Sequence, residues 1–454
     1  MAEPRQQHPL VTLRPVFPRQ LPDLGARVMH VYGQMRNFQR FPPQRQDALL
    51  TAQVNRLLQH AKRHAPFWSE RLKGWTPRRE PPARLLESVQ PLTRRELQGE
   101  FDRLSASYPQ REALGVAVAS SSGSTGTPVK IERAVQLYMP VYYAITLLSA
   151  RWHRIDQRKP VGVLGNKYKD KERATLGMPF KWLGPVATGF EYCTRGREAA
   201  EIYAHCAAKK AAYLQCGPST LTALAQYAAQ SGRNDLRFEK ALTLGSAVTP
   251  EMRDTVRRAF GAEIVDRYSC EETGYIALQC PRHAHYHVMT PSTLVEIVDE
   301  QGAPCPPDKP GRVLLTAIQS YNMPLIRYEV GDMAEWGEQC DCGITLPVIK
   351  TLWGRTRQFI TTPDGKRTYA RIYARDFEGI SGLLAYRFVL HQNATVVAQL
   401  KTTAPSDEIA ARVTEAVQRA LGYPYPVRIR FVEKVDWGGS WKEENFAVSD
   451  APPE

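Results

Sequence analysis

The chain has no apolar run approaching the roughly 20 residues that a membrane span requires. Its longest mostly apolar stretch, Tyr138 to Ala150, is too short and reads as a buried helix. The first thirty residues are proline-rich and lack the continuous apolar segment of a secretory leader, so secretion is not expected. Cysteine is sparse, eight in 454 residues, too few for a disulfide framework in a chain of this size. Without a leader these are expected as reduced thiols in a cytoplasm. Acidic residues are outnumbered: 60 Lys and Arg face 46 Asp and Glu, a net charge of +14. That excess attracts phosphate-bearing partners, whether nucleotide, cofactor or nucleic acid, but says nothing of fold. A basic stripe interleaved with stacking aromatics is missing, as is any nucleic-acid-binding motif, which argues against DNA or RNA. Internal repeats, a Walker A spacing and local Ser/His/Asp or Cys/His catalytic motifs are missing too.

What is present suits a soluble globular protein: 43% of residues are hydrophobic and 23% charged. At roughly 100 to 200 residues per domain the length accommodates two or three domains, or one large α/β unit with an appendage. Residues 1–43, rich in Pro and Arg without sustained period, read as an extended N-terminal arm. From Gln44 the residues Leu49, Leu50, Val54, Leu57, Leu58 and Ala61 recur at helical spacing, and Pro66 closes that helix. Strand-like runs at Val161–Leu164, Ala211–Leu214, Ala241–Leu244 and Glu263–Val265 alternate with helical stretches at Glu198–Lys209 and Pro250–Phe260. Such alternation predicts an α/β domain with a substantial sheet, over 44–355, with further strands at Thr293–Val298 and Gly311–Ala317. Beyond it, Tyr386–His391, Val396–Lys401, a helix over Ser406–Leu421 and Val427–Val432 predict a small α+β domain over 356–454.

Two clusters carry chemistry on their own residue types. Ser121, Ser122, Gly123, Ser124, Thr125 and Gly126, followed by Pro128 and Lys130, offer hydroxyls and close backbone N–H groups to phosphate oxygens. Cys280 and His283 form a C-x2-H pair, and sixty residues later Cys340 and Cys342 supply a C-x-C knuckle. Three thiolates and an imidazole complete the closed four-ligand set of a structural Zn²⁺ site, within an insertion of about 280–343. His285 and His287 compete with His283 for the fourth place.

The Ser-Ser-Gly-Ser-Thr-Gly-Thr-Pro run resembles the phosphate-binding signature of adenylate-forming enzymes. Three further motifs follow in the family's order: Asp266 to Gly274 (DRYSCEETG), Ile326 to Asp332 (IRYEVGD) and Gly354-Arg355. The segments Leu57–Trp68 and Pro91–Leu97 are similar to the N-terminal part of the phenylacetate-CoA ligase branch, so the resemblance spans all but about the first forty residues. It implies a large ATP- and acid-binding domain with mixed sheets and a small ferredoxin-like C-terminal domain that reorients about the Gly354-Arg355 connection. It also implies a reaction, in which a carboxylate is activated by ATP as an acyl adenylate and captured by the thiol of coenzyme A. By the same resemblance, residues 121–126 and Lys130 hold phosphates, Gly245 and Ser246 lie near adenine, and Tyr268 stacks on it. Glu272 ligates Mg²⁺, Asp332 and Arg355 bind the ribose, and Lys442 is the catalytic lysine of the C-terminal segment. Members of this branch that bear metal favour His283 as fourth ligand, and the branch implies a homodimer. The sequence departs from the pattern at Ser269 and at Glu271, an extra acid beside Glu272, and at Arg357-Gln358, where relatives carry an aspartate pivot. Aromatic Phe180, Trp182, Phe190 and Tyr213 suit an aryl-acid pocket or a core equally. An amine, a carrier-protein thiol or a directly adenylated hydroxyl remain alternative acceptors or substrates.

Overall fold

A computed structural model describes residues 23–120, 128–166, 168–174, 188–246, 248–355, 359–365, 367–370, 372, 374–377, 380–436 and 445–449. Its chain divides into two compact units, the first running to Trp353 and the second starting at Gly354. Among the described residues, no helix is long and apolar enough to cross a membrane.

The arm expected over residues 1–43 is corrected from Leu24 onward, where Leu24–Phe38 is a helix. Asp23 caps it by accepting from the Ala26 amide, and Val28, Val31, Met35 and Phe38 line its buried face at helical spacing. Proline and arginine composition masked that period. Helices Pro43–His64 and Pro66–Arg71 follow, the second carrying a wholly buried Trp68 whose Nε1 donates to the Pro324 carbonyl at 2.8 Å. Val135–Trp152 is the buried helix expected from its apolar run.

The first unit is built on one twelve-stranded sheet. Five neighbouring strands are parallel, in the spatial order Thr188–Tyr192, Val161–Leu164, Tyr213–Cys216, Lys240–Leu244 and Glu263–Cys270. Crossover helices Ala199–Lys209, Pro218–Ser231 and Pro250–Phe260 join them, as parallel pairing demands. Leu221, Leu224, Val256 and Phe260 bury the helices in a common core. Next to Glu263–Cys270 the sheet turns antiparallel through Gly274–Gln279, Tyr286–Val288, Val348–Arg355, Tyr328–Trp336, Gly311–Ala317 and Thr293–Val298. Phe190 and Tyr213, two of the aromatics weighed for an acyl pocket, are core residues of this sheet. Phe180 and Trp182 lie outside the described residues.

Arg327, from the Arg-Tyr motif, works as a rivet. It is 4% exposed and adopts a left-handed φ of +48°. Its guanidinium grips Glu296 through two nitrogens at 3.1 and 3.0 Å and donates to the Val89 carbonyl at 2.7 Å. Leu92 then pairs beside Tyr328, its amide donating to the Arg327 carbonyl at 3.0 Å and its carbonyl accepting from the Glu329 amide at 2.9 Å. Arg327→Ala strands the Glu296 carboxylate and is expected to cost about 3–5 kcal/mol in urea unfolding. An apolar replacement of both partners should restore most of that loss; equal instability of the double variant would mean that the pair itself is not what stabilises this corner.

In the second unit Leu383–His391 and Val396–Thr402 pair antiparallel, with Val427–Phe431 parallel on one side and Phe446–Ser449 parallel on the other. Helix Asp407–Leu421 starts at a Ser406 cap, ends at a left-handed Gly422, and buries Val413, Val417 and Leu421 against Phe388. This is the α+β arrangement expected from the pattern, with Phe446–Ser449 as an added edge strand.

Candidate active site

Two of the sequence motifs meet at the carboxyl ends of neighbouring parallel strands, where open α/β sheets take their ligands. Gly245, with φ of +95°, and exposed Ser246 end the strand Lys240–Leu244. Beside it, Glu263–Cys270 delivers Tyr268 and then the turn Glu271–Glu272–Thr273. Asp266, which opens this motif, points into the core, its carboxylate accepting from Thr243 and Tyr286 hydroxyls, each at 2.6 Å.

Asp332 sits four places away in the sheet order, so a flat sheet with strands about 4.8 Å apart would hold it roughly 19 Å from Tyr268. Instead the Tyr268 hydroxyl donates to Asp332 Oδ2 at 2.7 Å, so the sheet curls back on itself. The same curl brings the Tyr328 hydroxyl to 3.1 Å from Glu272 Oε1. Glu272 is buried, and Arg94 Nη1 stands 3.5 Å from the same oxygen. Arg94 is held there because the Leu92 pairing fixes the segment that enters helix Arg94–Gly99, and a Thr93–Glu96 capping box starts that helix. Arg71 pairs with the capping Glu96 and lies over the Phe67 ring. Neither Arg94 nor Tyr328 was singled out from sequence; both lie inside quoted motifs, but nothing local shows that they converge on Glu272.

The extra acid Glu271 is exposed and has Arg133 as its partner, whose guanidinium donates to the Glu271 carbonyl and comes within 3.5 Å of its carboxylate. Arg133 belongs to strand Lys130–Ala134, which pairs with Val116–Ser120; the pair Ser120–Lys130 flanks the serine-rich segment. Lys130 is exposed. Ser121, Ser122, Gly123, Ser124, Thr125, Gly126 and Lys442 lie outside the described residues, as does the side chain of Arg355.

The cysteine knuckles converge. Cys280 Sγ and Cys340 Sγ are 3.7 Å apart. Two thiolates on a tetrahedral Zn²⁺ at about 2.3 Å each are separated by about 3.8 Å, so this spacing fits. Cys342 Sγ lies 3.2 Å from His287 Nε2, while His287 Nδ1 faces the Leu346 carbonyl at 3.3 Å. An imidazole tethered through one nitrogen with the other turned to thiols is the arrangement of a metal ligand. His285 also faces Cys280 and Cys340, and its Nε2 is enclosed without a protein partner. His283, preferred from its spacing, has Nε2 at 2.6 Å from Asp341 Oδ1 on the exposed side. His287 lies within the strand Tyr286–Val288 and His285 immediately before it, whereas exposed His283 lies in the preceding turn, beside Cys340 and Asp341. Burial raises the Cys280 thiol and carries Cys342 to about 12, so a metal bound here would have to displace protons and would bind more weakly as pH falls.

No family model matches the chain. A phenylacetate-coenzyme A ligase of Thermus thermophilus is 26% identical over 216 residues, 46% of this chain and 47% of that protein, so the aligned stretch spans about half the length of that relative. Among solved structures, a 2-hydroxyisobutyryl-CoA ligase in the postadenylation state, in complex with R3-HIB-AMP, superposes with a TM-score of 0.66 and 19% identity over 92% of both chains. An anthranilate CoA ligase in complex with anthranoyl-AMP gives 0.54 and 16% over 74% of this chain and 66% of its own. The chain has the fold of these ligases, in line with its motif resemblance.

Proposed function

We propose that this chain is an AMP-forming acid–CoA ligase, activating an aryl acid. A carboxylate oxygen attacks the α-phosphorus of ATP and pyrophosphate leaves; a thiolate of coenzyme A then attacks the acyl carbonyl and AMP leaves. The observation that carries this reading is the pair of contacts made where the parallel strand Glu263–Cys270 ends, Tyr268 to Asp332 and Glu272 to Tyr328. Tyr268 forms one wall for adenine while its hydroxyl steadies Asp332. A carboxylate offers about four lone-pair sites, so Asp332 can accept from Tyr268 and still receive ribose hydroxyls, with Arg355 donating to the same sugar. Residues 121–126 and Lys130 take the β- and γ-phosphates, and Gly245 and Ser246 border adenine. Glu272 has one oxygen engaged by Tyr328 and Arg94, leaving the other for a hard cation such as Mg²⁺, which when bound offsets phosphate charge. Domain 44–355 binds ATP and acid, and domain 356–454 reorients between the half-reactions, in a cytoplasmic homodimer.

The deciding experiment is pyrophosphate release across aryl and aliphatic acids, with and without coenzyme A. Acid-dependent release that yields a thioester only with coenzyme A supports the ligase; release without any thioester moves the acceptor to an amine, a carrier-protein thiol or a hydroxyl. Salt-dependent nucleic-acid binding without ATP–pyrophosphate exchange would overturn the assignment.

The metal belongs to the same proposal: one structural Zn²⁺ per chain on Cys280, Cys340, Cys342 and His287. Elemental analysis should find one zinc per chain in the purified protein, lost in Cys340→Ser/Cys342→Ser and in His287→Ala. His283→Ala is expected to retain it. Loss in His283→Ala with retention in His287→Ala restores the ligand favoured by spacing.

A further inference from the structure

Among the described residues, two arginines of this unit are almost fully buried, and they are solvated differently. Arg327, 4% exposed, has the Glu296 carboxylate across two of its nitrogens. Arg267, 6% exposed, has neutral acceptors instead. Its Nη1 donates to the Tyr275 hydroxyl and its Nη2 to Gln215 Oε1, each at 3.1 Å, while its Nε is enclosed and meets no protein acceptor. Guanidinium is always charged, and a buried charge is strongly unfavourable unless an anion accompanies it. Among the described residues no carboxylate of the chain does so for Arg267.

Arg267 also stands in a telling place. It precedes Tyr268 on the strand Glu263–Cys270, so the two side chains point to opposite faces. From Arg267 a row of aromatic rings leads back to the motif turn. The guanidinium carbon is 5.8 Å from the Tyr275 ring centre, Tyr275 stacks on Tyr142 at 4.8 Å, and Tyr142 on Tyr138 at 5.8 Å. At the outer end Tyr138 presses on Gly274, where a Cβ would lie 2.8 Å from its hydroxyl and φ is +81°. Gly274 is two residues past Glu272. The row therefore runs, through rings stacked on one another, from beside the proposed phosphate chemistry to a cation that no carboxylate accompanies among the described residues.

We propose that Arg267 determines acid specificity: the substrate is an aromatic acid bearing a second, anionic oxygen group at the end remote from the reacting carboxylate, received by Arg267 with Gln215 and Tyr275. This rests on the adenylation reading and names its substrate class. Reacting and remote carboxylates share one chemistry, and the assay separates them by comparing benzoate with isophthalate and terephthalate, and 4-hydroxybenzoate tests a neutral oxygen. The wild-type protein is expected to prefer a dicarboxylate over benzoate in kcat/KM for pyrophosphate release. In Arg267→Gln that preference should fall roughly 10²-fold, and Arg267→Lys, which keeps the charge but not the fork, should recover part of it. Calorimetry with isophthalate and terephthalate in the absence of ATP reads the same contact without turnover: binding to wild type that disappears in a folded Arg267→Gln supports the proposal even if no acid is adenylated, in which case the ligase reading alone fails. A wild-type protein that neither binds nor prefers either dicarboxylate, or a preference unchanged in Arg267→Gln, would overturn it. A uniform loss over benzoate and dicarboxylates in both variants would assign Arg267 to the reacting carboxylate or to folding, against the proposal.

Discussion

Acid-dependent exchange of pyrophosphate into ATP is expected to fall by roughly 10²- to 10³-fold in Glu272→Ala, the scale of losing one preorganised electrostatic group. The reason is geometric. The Glu272 carboxylate is buried, its Oε1 engaged by the Tyr328 hydroxyl and Arg94, and it follows the strand that carries Tyr268. Such a carboxylate has one orientation, and alanine removes both its charge and its reach. Arg94→Ala should have a smaller effect and appear mainly as a raised Mg²⁺ requirement, because Arg94 acts through Glu272; Arg94→Lys should restore most of it. Isotope exchange at several Mg²⁺ concentrations measures both. Glu272→Ala leaves an Arg94 that is partly exposed, so the variant should remain folded. Undiminished exchange in that folded variant removes Glu272 from the metal role.

A comparable loss, again roughly 10²- to 10³-fold, is expected for Lys442→Ala, but in one half-reaction only. Adenylation gathers negative charge between the attacking carboxylate and the α-phosphate, and an ammonium close to both oxygens lowers that barrier. Lys442, in the run Asp436 to Phe446, is proposed for that role by resemblance, with Glu443 and Glu444 beside it as the argument for a merely solvated lysine. Thioester formation from supplied acyl adenylate involves no attack on phosphorus and should be largely spared. Single-turnover assays of each half-reaction separate the two outcomes. Equal loss in both would point to misfolding or to another role for the segment.

Elements whose caps and period agree were legible from the chain alone. Pro250–Phe260 has a Thr249 cap, a proline in its first turn and a left-handed Gly261 behind it, all local features, and it forms as read. Helix Leu24–Phe38 also carries a helical period, but the proline-rich run before it dominates the local composition and hides it. The order of the motifs along the chain likewise predicts a nucleotide site by resemblance. Their meeting was another matter: Tyr268 and Asp332 touch across 64 residues only because the sheet curls. Which of His283, His285 and His287 approaches which thiol is likewise a tertiary matter: His287 Nε2 lies 3.2 Å from Cys342 Sγ, 55 residues further on, and His283 lies beside Cys340 and Asp341. Arg327 and Arg267 are the same residue type in two neighbouring motifs, and sequence does not distinguish them. Glu296 reaches one, and among the described residues the other meets neutral acceptors, a difference made by tertiary contacts. Caps and periodicity are interactions between near neighbours, and so are encoded where they act; burial, charge pairing and ligation depend on segments brought together by the whole fold, and only the folded chain decides them.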